Sequence, residues 1–350
     1  MQILISADPF IEVPPLHYGG IERVIHMLIT GYNDAGHQVS LIAIDGSSHP
    51  SLQSLHHWPH ANPNNSIHHL KNTLKLRQVV SKTQPDIIHS FCRLQYITGL
   101  KWMKHTPFIL QCYQREVSQR TTVAASKLFP SDHLQFSACG AHMIDAKWSH
   151  ASRWHVVHNC TDTNLLHPVS PLDGYTYLAF LGRMEPIKGP KEAIELAKLL
   201  GLPIKLAGNI EEEHLPFFQA EIEPLLQSGV AEYVGPLNDT QKQDFLSQAM
   251  AFLMLIQWEE PFGIVMAEAL ACGAPILALN RGSVPEVVQD GMNGFRADSI
   301  VELHQKCAQF ESIDRNTCRS DALERFSIQG ISTQYLSIFQ NALDTSGKVK

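Results

Sequence analysis

Two cations stand close together in the segment 182–189, which reads Gly-Arg-Met-Glu-Pro-Ile-Lys-Gly. The segment follows an apolar run typical of a buried strand and precedes a predicted helix at 190–200. A helix N-terminus presents free N–H groups and partial positive charge, and an arginine adds forked donors that match phosphate oxygens. This order of residues predicts a phosphate site built from Arg183 and Lys188. Taken alone, the segment is equally compatible with two solvated cations in a surface loop.

Glu260 and Glu268 follow another apolar run, in the segment 258–268, which reads Trp-Glu-Glu-Pro-Phe-Gly-Ile-Val-Met-Ala-Glu. Its proline and glycine favour a turn into a helix, which places Glu260 at a sheet edge and Glu268 about two turns inside the helix. Such a spacing often arises by chance, and the helix dipole alone favours acids near a helix start. Glu268 has apolar neighbours, however, and a buried carboxylate needs a partner. We expect a pair of ligand hydroxyl groups to satisfy it.

A glycine pair, Gly19 and Gly20, follows the first predicted strand and opens the first predicted helix. Adjacent glycines permit close approach of the backbone to a ligand and leave the helix N-terminus open. The sequence contains neither the Gly-x-Gly-x-x-Gly dinucleotide fingerprint nor a P-loop, so these two nucleotide-binding motifs are excluded.

The elements that must position these residues alternate between strand and helix along the chain. Apolar runs of strand length separated by helical periodicity are typical of parallel sheets with helices on both faces. The periodicity predicts, among other helices, those at 94–104, 141–148 and 212–227. A polar stretch with prolines and a glycine at 164–174 predicts a linker. We therefore predict an α/β protein with Rossmann-like, doubly wound domains at 1–165 and 175–326, facing a cleft. The helical tail at 327–350 is expected to pack across both domains.

The composition places the chain among globular proteins and excludes several classes of function. Hydrophobic residues make up 44% and charged residues 17% of the 350 residues, and the mean hydropathy is -0.10. The net charge of -7 argues against a nucleic-acid partner. No apolar stretch reaches the ~18 residues of a membrane span, and the N-terminus lacks a cationic leader. The 7 cysteines contain no Cys-x-x-Cys pair and fit free thiols in a reducing compartment, so we expect a cytoplasmic protein.

Taken together, the motifs resemble the retaining glycosyltransferases of family four, which have the GT-B fold. The likeness is carried by Tyr-Gly-Gly-Ile-Glu-Arg at 18–23, Pro-Asp-Ile-Ile-His at 85–89, Asn159 with Asp162, Gly-Arg and Lys-Gly within 182–189, and Glu-Pro-Phe-Gly at 260–263 running to Glu268. It covers nearly the whole chain in order. The two glutamates with Pro-Phe-Gly between them are its most specific part.

The resemblance implies an acceptor-side N-terminal domain and a nucleotide-sugar site in the C-terminal domain. Arg183 and Lys188 would hold the diphosphate, Glu268 the ribose hydroxyls, and the N-terminal glycine pair would close on the diphosphate. The implied donor-binding residues are Gly19, Gly20, Arg183, Lys188, Val234, Leu237, Phe262, Gly263, Ile264, Val265 and Glu268, of which Val234 and Leu237 flank a backbone segment that would bind the base. The implied catalytic residues are Glu260, Arg183, Lys188 and Tyr113, with Glu260 facing the donor sugar.

One segment departs from the family pattern. After the predicted strand at 108–110 the family places a His that contacts the donor sugar, whereas this chain has Gln-Cys-Tyr-Gln-Arg-Glu at 111–116. Tyr113 therefore occupies the His position. A phenol can still hydrogen-bond a sugar, but the exchange allows altered specificity or lost activity.

Histidines are abundant, and several fall within 49–69, namely His49, His56, His57, His60, His68 and His69. Their spacing matches no metal-binding helix or finger. We therefore predict no metal site here and favour a loop that binds an acceptor or faces a membrane.

We expect a metal-independent, retaining hexosyltransferase that moves glucose from UDP-glucose to a saccharide or lipid-linked saccharide in polysaccharide or glycoconjugate biosynthesis. Cations at a helix N-terminus can neutralise a diphosphate leaving group, and no Asp-x-Asp of the metal-dependent GT-A class occurs. Beyond the UDP-glucose substrate we expect no cofactor, and peripheral contact with the inner face of a membrane is left open. The alternatives are a GT-B sugar-nucleotide 2-epimerase and a catalytically silent GT-B protein that binds a nucleotide sugar or a partner glycosyltransferase.

Overall fold

The structure is a computed structural model that describes residues 1–15, 19–61, 65–169 and 174–345. The chain divides into two compact units, the first formed by Met1–Asn159 with Ile328–Lys350 and the second by Cys160–Ser327. Each unit is built on one parallel sheet with helices packed on it, so the predicted α/β class is confirmed.

The first unit contains a sheet whose strand pairs are all parallel in the described residues. Its strands are β1 (Gln2–Ser6), β2 (Gln38–Ala43), β3 (Ser54–His57), β4 (Ile87–Ser90), β5 (Phe108–Tyr113), β6 (Leu134–Ala138) and β7 (Trp154–Val156), in the order β3-β2-β1-β4-β5-β6-β7. The strand order reverses between β1 and β4. Ligands of open α/β sheets bind beyond the carboxyl ends of the strands at such a switch point.

Helices of the first unit follow the predicted pattern only in part. They are α1 (Gly20–Asp34), α2 (Ser66–Thr83), α3 (Leu94–Ile97), α4 (Gln119–Leu128) and, from the end of the chain, α13 (Ile328–Thr345). The helix predicted at 94–104 changes after α3 into the 3-10 segment Thr98–Trp102, where a Cβ on Gly99 would lie 2.5 Å from Thr73 of α2. The helix predicted at 141–148 is wrong, because that stretch holds the 3-10 turn Ala141–Met143 and then a turn in which Asp145 accepts the Lys147 N–H.

The C-terminal helix α13 belongs to the first unit and packs on α1. The fit is close, since a Cβ on Gly31 of α1 would lie 2.0 Å from Ser332 Oγ. Tyr335 and Phe339 of α13 lie against His89 of β4, which is fully buried and whose pKa burial lowers to about 3. His89 is therefore a neutral core residue. That the tail, of which 346–350 lie outside the described residues, packs across both domains stays a prediction.

The second unit contains a parallel sheet with its own switch point. Its strands are β8 (Tyr177–Leu181), β9 (Ile204–Ala207), β10 (Ala231–Gly235), β11 (Ala249–Met254), β12 (Ile276–Leu279) and β13 (Gly294–Ala297), in the order β10-β9-β8-β11-β12-β13. Leu178, Phe180, Leu206 and Leu253 form part of a buried core with the helices. The strand order reverses between β8 and β11.

Helices of the second unit cover most of the segments predicted to be helical. They are α5 (Pro190–Leu200), α6 (Leu215–Phe217), α7 (Glu223–Leu226), α8 (Asp239–Ser247), α9 (Ile264–Ala271), α10 (Val284–Val287), α11 (Ile300–Lys306) and α12 (Arg315–Phe326). The helix predicted at 212–227 is interrupted: α6 and α7 are joined by the π-helical segment Phe218–Ile222. Pro224 explains the interruption, since a proline inside a helix removes a backbone donor and clashes with the preceding turn.

The chain enters the second unit at Cys160, earlier than the predicted boundary at residue 165. Backbone contacts explain the difference. The Thr161 N–H donates to the Phe326 carbonyl, and the Arg319 guanidinium donates to the carbonyls of Thr163 and Leu166. Of the predicted linker 164–174, residues 170–173 lie outside the described residues.

All seven cysteines are buried, and none of them forms a disulfide. No helix in the described ranges is long and apolar enough to cross a membrane.

Candidate active site

The switch point of the second sheet brings two sequence-predicted segments together. Gly182 and Arg183 follow β8, and Glu260 follows its neighbour β11. The Gln257 N–H donates to the Ile187 carbonyl at 2.8 Å and ties the two loops to each other. As a result Lys188 Nζ and Glu260 Oε2 lie 2.6 Å apart, although 72 residues separate them in the chain.

A glycine fixes the position of Lys188. Gly189 has a φ of 74°, and a Cβ on it would lie 1.9 Å from the Leu255 carbonyl oxygen. Only a glycine fits a left-handed backbone packed this closely against another chain segment. The residue before α5 therefore places the lysine beside the segment that leads from β11 to Glu260.

Lys188 and Glu260 form a partly buried ion pair beside an indole. Their side chains are 15% and 12% exposed. Trp258 Nε1 donates to the same Glu260 oxygen at 2.9 Å, and Lys188 Nζ lies 5.0 Å from the centre of the Trp258 ring. The Ser283 N–H donates to the Glu260 carbonyl, so its backbone is held as well. Both side chains are therefore fixed before a ligand arrives.

Arg183 is bound to two carboxylates. Its Nη2 lies 2.7 Å from Oε1 of the buried Glu185, and its Nη1 lies 3.4 Å from Oε1 of Glu211. His214 Nε2 lies 3.1 Å from the other Glu185 oxygen. The sequence predicts Arg183 as a phosphate ligand but not these acids, which a phosphate would have to displace or share. Acids in irregular loops carry no readable signal of their own.

The N-terminus of α9 lies beside Glu260. Phe262 is buried on Phe326, Gly263 is the N-cap with a φ of 71°, and Ile264 and Val265 form the first turn. The first N–H groups of a helix have no acceptor within the helix, and they carry partial positive charge. Because α9 begins shortly after Glu260, these free N–H donors lie at the same carboxyl edge of the sheet as Lys188.

Glu268 has a protein partner rather than an unsatisfied carboxylate. It is 7% exposed on α9, and Lys242 Nζ from α8 lies 2.5 Å from its Oε1. Lys242 also lies 3.5 Å from Asp239 Oδ1. The sequence analysis did not foresee this partner, and the contact of Glu268 with ligand hydroxyls stays a prediction. A carboxylate offers about four acceptor positions, so ribose contacts can still be added.

Val234 and Leu237 lie at the end of β10, and both are half-buried. Gly235 between them accepts the Gly208 N–H through its carbonyl, which joins the loops after β9 and β10. Binding of a base by this backbone stays a prediction.

In the first unit, Gly19 is the N-cap of α1 and Gly20 its first residue. A Cβ on Gly19 would lie 2.8 Å from Glu22 Oε2, so the glycine permits a close approach. Tyr18, which belongs to the same motif, lies outside the described residues. The contact of the glycine pair with a diphosphate stays a prediction.

Tyr113 ends β5 and lies at the carboxyl edge of the first sheet. Its ring packs against Trp154 and Phe136, with centroid distances of 5.5 and 6.4 Å. Within the described residues its buried hydroxyl makes no hydrogen bond of normal geometry, and burial raises the pKa of the phenol above its usual value. Tyr113 is thus an aromatic core residue with a neutral hydroxyl, and its contact with a donor sugar stays a prediction.

Asp8 and Arg93 occupy the switch point of the first sheet, and the sequence did not reveal them. Asp8 follows β1, Arg93 follows β4, and Arg93 Nε lies 3.7 Å from Asp8 Oδ2. Asp8 Oδ1 is buried and has no hydrogen-bond partner in the described part of the chain. Burial raises the pKa of Asp8 to about 6, and Arg93 only partly offsets this shift. Shifted carboxyl groups at sheet switch points are candidates for ligand binding.

We expect Asp8→Asn to stabilise the protein at neutral pH. The pKa of Asp8 is about 6 in the folded chain against the ordinary value of 3.8, so ionisation opposes folding as the pH rises through this window. The gain should reach up to about 3 kcal/mol at about pH 8 and vanish near about pH 3. Chemical denaturation at both pH values measures it, with the exposed Asp45→Asn as control. An equal effect at both pH values would contradict the shifted pKa.

The prediction of a loop at 49–69 is wrong in part, because the stretch contains β3 and the start of α2. Its histidines do not form one group. His56 and His57 lie on β3, His60 stacks on His68 at 4.0 Å, and His49 Nε2 lies 3.1 Å from Thr30 Oγ1. In the described residues one other group, Glu211, Glu213 and His214, has ligand atoms within 4.8 Å of one another. His214 there already lies beside Glu185, and Glu211 beside Arg183, which accounts for the grouping without an ion.

The chain has two doubly wound parallel units. The second unit carries a cation and a carboxylate at the switch point of its sheet, and these features together define the class of protein. A sequence-family profile described as Glycosyltransferase Family 4 matches residues 18–165, and one described as Glycosyl transferases group 1 matches residues 163–319. The chain therefore belongs to the family-four glycosyltransferases, as its motifs predict.

Similar curated proteins fall into more than one specificity. The chain is 30% identical over 155 residues to a D-inositol 3-phosphate glycosyltransferase of Mycobacterium marinum, covering 41% of this chain and 33% of the relative. It is 30% identical over 121 residues to an N-acetyl-alpha-D-glucosaminyl L-malate synthase of Bacillus anthracis, covering 31% of this chain and 32% of the relative. The match thus spans about a third of the length of these relatives.

Solved structures establish the GT-B fold. The crystal structure of Anabaena Alr3699/HepE in complex with UDP aligns with a TM-score of 0.75 and 18% identity, covering 97% of this chain and all of that one. AviGT4, a glycosyltransferase involved in avilamycin A biosynthesis, aligns with a TM-score of 0.72 and 19% identity, covering 98% of both chains. The predicted GT-B fold is confirmed.

Proposed function

We propose that the protein transfers a hexose, with glucose as first choice, from UDP-glucose to a saccharide or lipid-linked saccharide. Retention of the donor's anomeric configuration and independence of metal ions are parts of the proposal. The observation that carries it is the juxtaposition of Lys188, Glu260 and the N-terminus of α9 at the switch point of the second sheet. Structures of the related Alr3699/HepE with UDP and with UDP-glucose support this choice of donor.

The proposed chemistry is stabilisation of a leaving diphosphate by fixed positive groups. Lys188 has three N–H donors, of which Glu260 and the Trp258 ring engage only part, so the ammonium can contact a phosphate oxygen without leaving its place. Donors at the start of α9 add partial positive charge on the same side. Groups fixed in advance stabilise developing charge without reorganising, and in many enzymes this effect lowers the activation barrier more than any other.

Neither Glu260 nor Glu268 is assigned the role of a covalent nucleophile. Glu260 binds Lys188, and Glu268 is buried beside Lys242, so both carboxylates are engaged in ion pairs. The resemblance implies a same-face displacement in which the departing phosphate helps to take the acceptor proton. In this scheme Glu260 orients the sugar and Glu268 holds the ribose.

The acceptor is proposed to bind the first unit at the carboxyl edge of its sheet. Asp8 and Arg93 stand there, and within the described residues the buried Asp8 Oδ1 has no hydrogen-bond partner. A hydroxyl group of a polyol acceptor would satisfy this oxygen. The Tyr113 hydroxyl, at the end of β5, is kept for the donor sugar, as the resemblance implies.

Transfer is expected to survive chelation. The second unit supplies its positive charge with lysine, arginine and a helix end, which replaces the charge of a divalent ion. We expect full activity with UDP-glucose in EDTA. Retention is tested separately, because proton NMR should show an α linkage in the first product formed. Loss of transfer in EDTA that manganese restores would contradict metal independence and would direct attention to Glu211, Glu213 and His214.

Hydrolysis of the donor in the absence of an acceptor distinguishes the enzyme from the catalytically silent alternative. A transferase can pass the donor sugar to water, whereas a protein that only binds the donor cannot. Tyr113→Phe removes only the hydroxyl, so slower hydrolysis in this variant would support its contact with the donor sugar. Epimerisation of the sugar nucleotide without release of UDP would favour the 2-epimerase instead.

A further inference from the structure

Helix α2 exposes an apolar ridge on its outer face. Ile67, Leu70 and Leu74 are 64%, 60% and 55% exposed, although large aliphatic side chains are usually covered. Their spacing of three and four residues places them on one side of the helix. The opposite side, with Leu76, Val79 and Val80, is buried in the core of the first unit.

Cations flank this ridge, and α2 carries no acidic residue. Its basic residues are Lys71, Lys75, Arg77 and Lys82, and all except the half-buried Lys75 are exposed. Of the 7 Lys and Arg in the stretch 66–107, all except Arg93 belong to α2 or to residues 98–104, and the stretch holds one acid, Asp86, whereas the whole chain has a net charge of -7. The Asp86 carboxylate accepts the Gln2 N–H. A strongly positive face thus stands on an acidic protein.

The neighbouring 3-10 segment extends the same composition. Gly99 of this segment packs against Thr73 of α2, as shown by the 2.5 Å that would separate an added Cβ from Thr73 Cγ2. Trp102 is 68% exposed, and Lys101 and Lys104 beside it are exposed too. A solvent-exposed tryptophan among lysines is typical of residues at a membrane interface.

We propose that this face, formed by the outer side of α2 and the segment Thr98–Trp102, docks on an anionic lipid bilayer. Aliphatic side chains flanked by basic ones suit a helix lying in the interface plane, with lysine stems reaching along the apolar surface to the headgroups. A depression of about 430 Å³ lined by Leu74, Arg77, Gln78, Ser81 and Lys82 offers a place for a lipid phosphate.

The composition favours lipid over the other occupants of such a face. Lysine is depleted in protein–protein interfaces, and a patch for nucleic acid has no use for three exposed aliphatic side chains. An anionic bilayer matches both parts of the face, since its headgroups attract the basic residues and its acyl region accepts the apolar ridge. The proposal does not depend on the proposed catalytic activity, because binding to vesicles is measured without substrate.

Flotation with vesicles tests the proposal. We expect binding to phosphatidylcholine vesicles that contain phosphatidylglycerol, little binding to pure phosphatidylcholine, and release in ~1 M salt, where the Debye length falls to about 3 Å. Leu70→Glu with Leu74→Glu, and separately Lys71→Gln with Arg77→Gln, should each weaken binding about tenfold or more. The matched control is Leu199→Glu with Val301→Glu, which changes equally exposed aliphatic residues on other helices and should bind as the wild type does.

The fluorescence of Trp102 gives a second measurement. A blue shift on addition of the mixed vesicles is expected in the wild type and should be lost in Trp102→Phe. Equal flotation with neutral and mixed vesicles would overturn the proposal. Variants of α2 that bind as strongly as the control pair would also overturn it. Circular dichroism of each variant checks that its helix content matches that of the wild type.

Discussion

Lys188→Met is expected to weaken the binding of UDP by about 10- to 150-fold. A charged hydrogen bond contributes roughly 1.5–3 kcal/mol, and the structure places this ammonium between Glu260 and the Trp258 ring, where it cannot be replaced by solvent without cost. Isothermal titration calorimetry with UDP measures the loss. The matched control is Lys191→Met on the following helix, α5, whose ion pair with Glu221 is 41% and 46% exposed.

The same variant should lose stability, because Glu260 is left partly buried without its cation. The cost should fall between the ~1 kcal/mol of an exposed pair and the ~3–5 kcal/mol of a fully buried one. Adding Glu260→Gln to Lys188→Met removes the unpaired charge and should restore the free energy of unfolding but not the affinity for UDP. Recovery of both together would mean that Lys188 acts only by holding the fold.

The parallel sheets and the carboxyl-edge position of the site residues follow from the sequence for a clear reason. Short apolar runs such as 3–5 and 177–181, alternating with helical periodicity, favour buried parallel strands, and polar residues that follow such strands lie at the carboxyl edge. Arg183 and Glu260 both follow a run of this kind. Only the family resemblance implied that their loops meet, because the strand order that makes β8 and β11 neighbours cannot be read from the sequence.

The partners of these residues could not be predicted in the same way. Lys242 reaches Glu268 from another helix, and Glu185 binds Arg183 from an irregular turn. Periodicity says nothing about which side chain from a distant element will fill a buried gap. Asp8 was missed for a related reason, since its significance depends on Arg93 and on burial rather than on a motif.

The mispredicted helices also have a physical cause. The stretch 141–148 has helical periodicity, but its Asp145 bonds the backbone two residues on and so favours a turn. In 212–227, Pro224 removes a backbone donor that an unbroken helix needs. Local side-chain and proline chemistry therefore overrode the apolar pattern at both places.

Substitution of Glu268 should change the affinity for UDP, whereas substitution of Glu260 should change the rate of transfer. Glu268 lies on α9 beside Lys242, and in the proposed function its remaining acceptor positions take the ribose hydroxyls. Glu268→Gln should then weaken UDP and UDP-glucose alike, by roughly 1–3 kcal/mol. Glu260→Gln should leave UDP affinity unchanged or higher, since it frees Lys188 for phosphate, and should instead lower the rate of transfer.

A ribose analogue distinguishes contact with the ligand from loss of structure in the Glu268 variant. Glu268→Gln leaves the partly buried Lys242 with Asp239 as its one remaining counter-charge in the described residues, so part of any loss could come from the fold. We expect 2′-deoxy-UDP to bind the wild type about 5- to 150-fold more weakly than UDP, and Glu268→Gln to bind both ligands equally. Adding Lys242→Met to Glu268→Gln should restore stability without restoring that difference. A variant that still prefers UDP over 2′-deoxy-UDP as strongly as the wild type does would show that the ribose lies elsewhere.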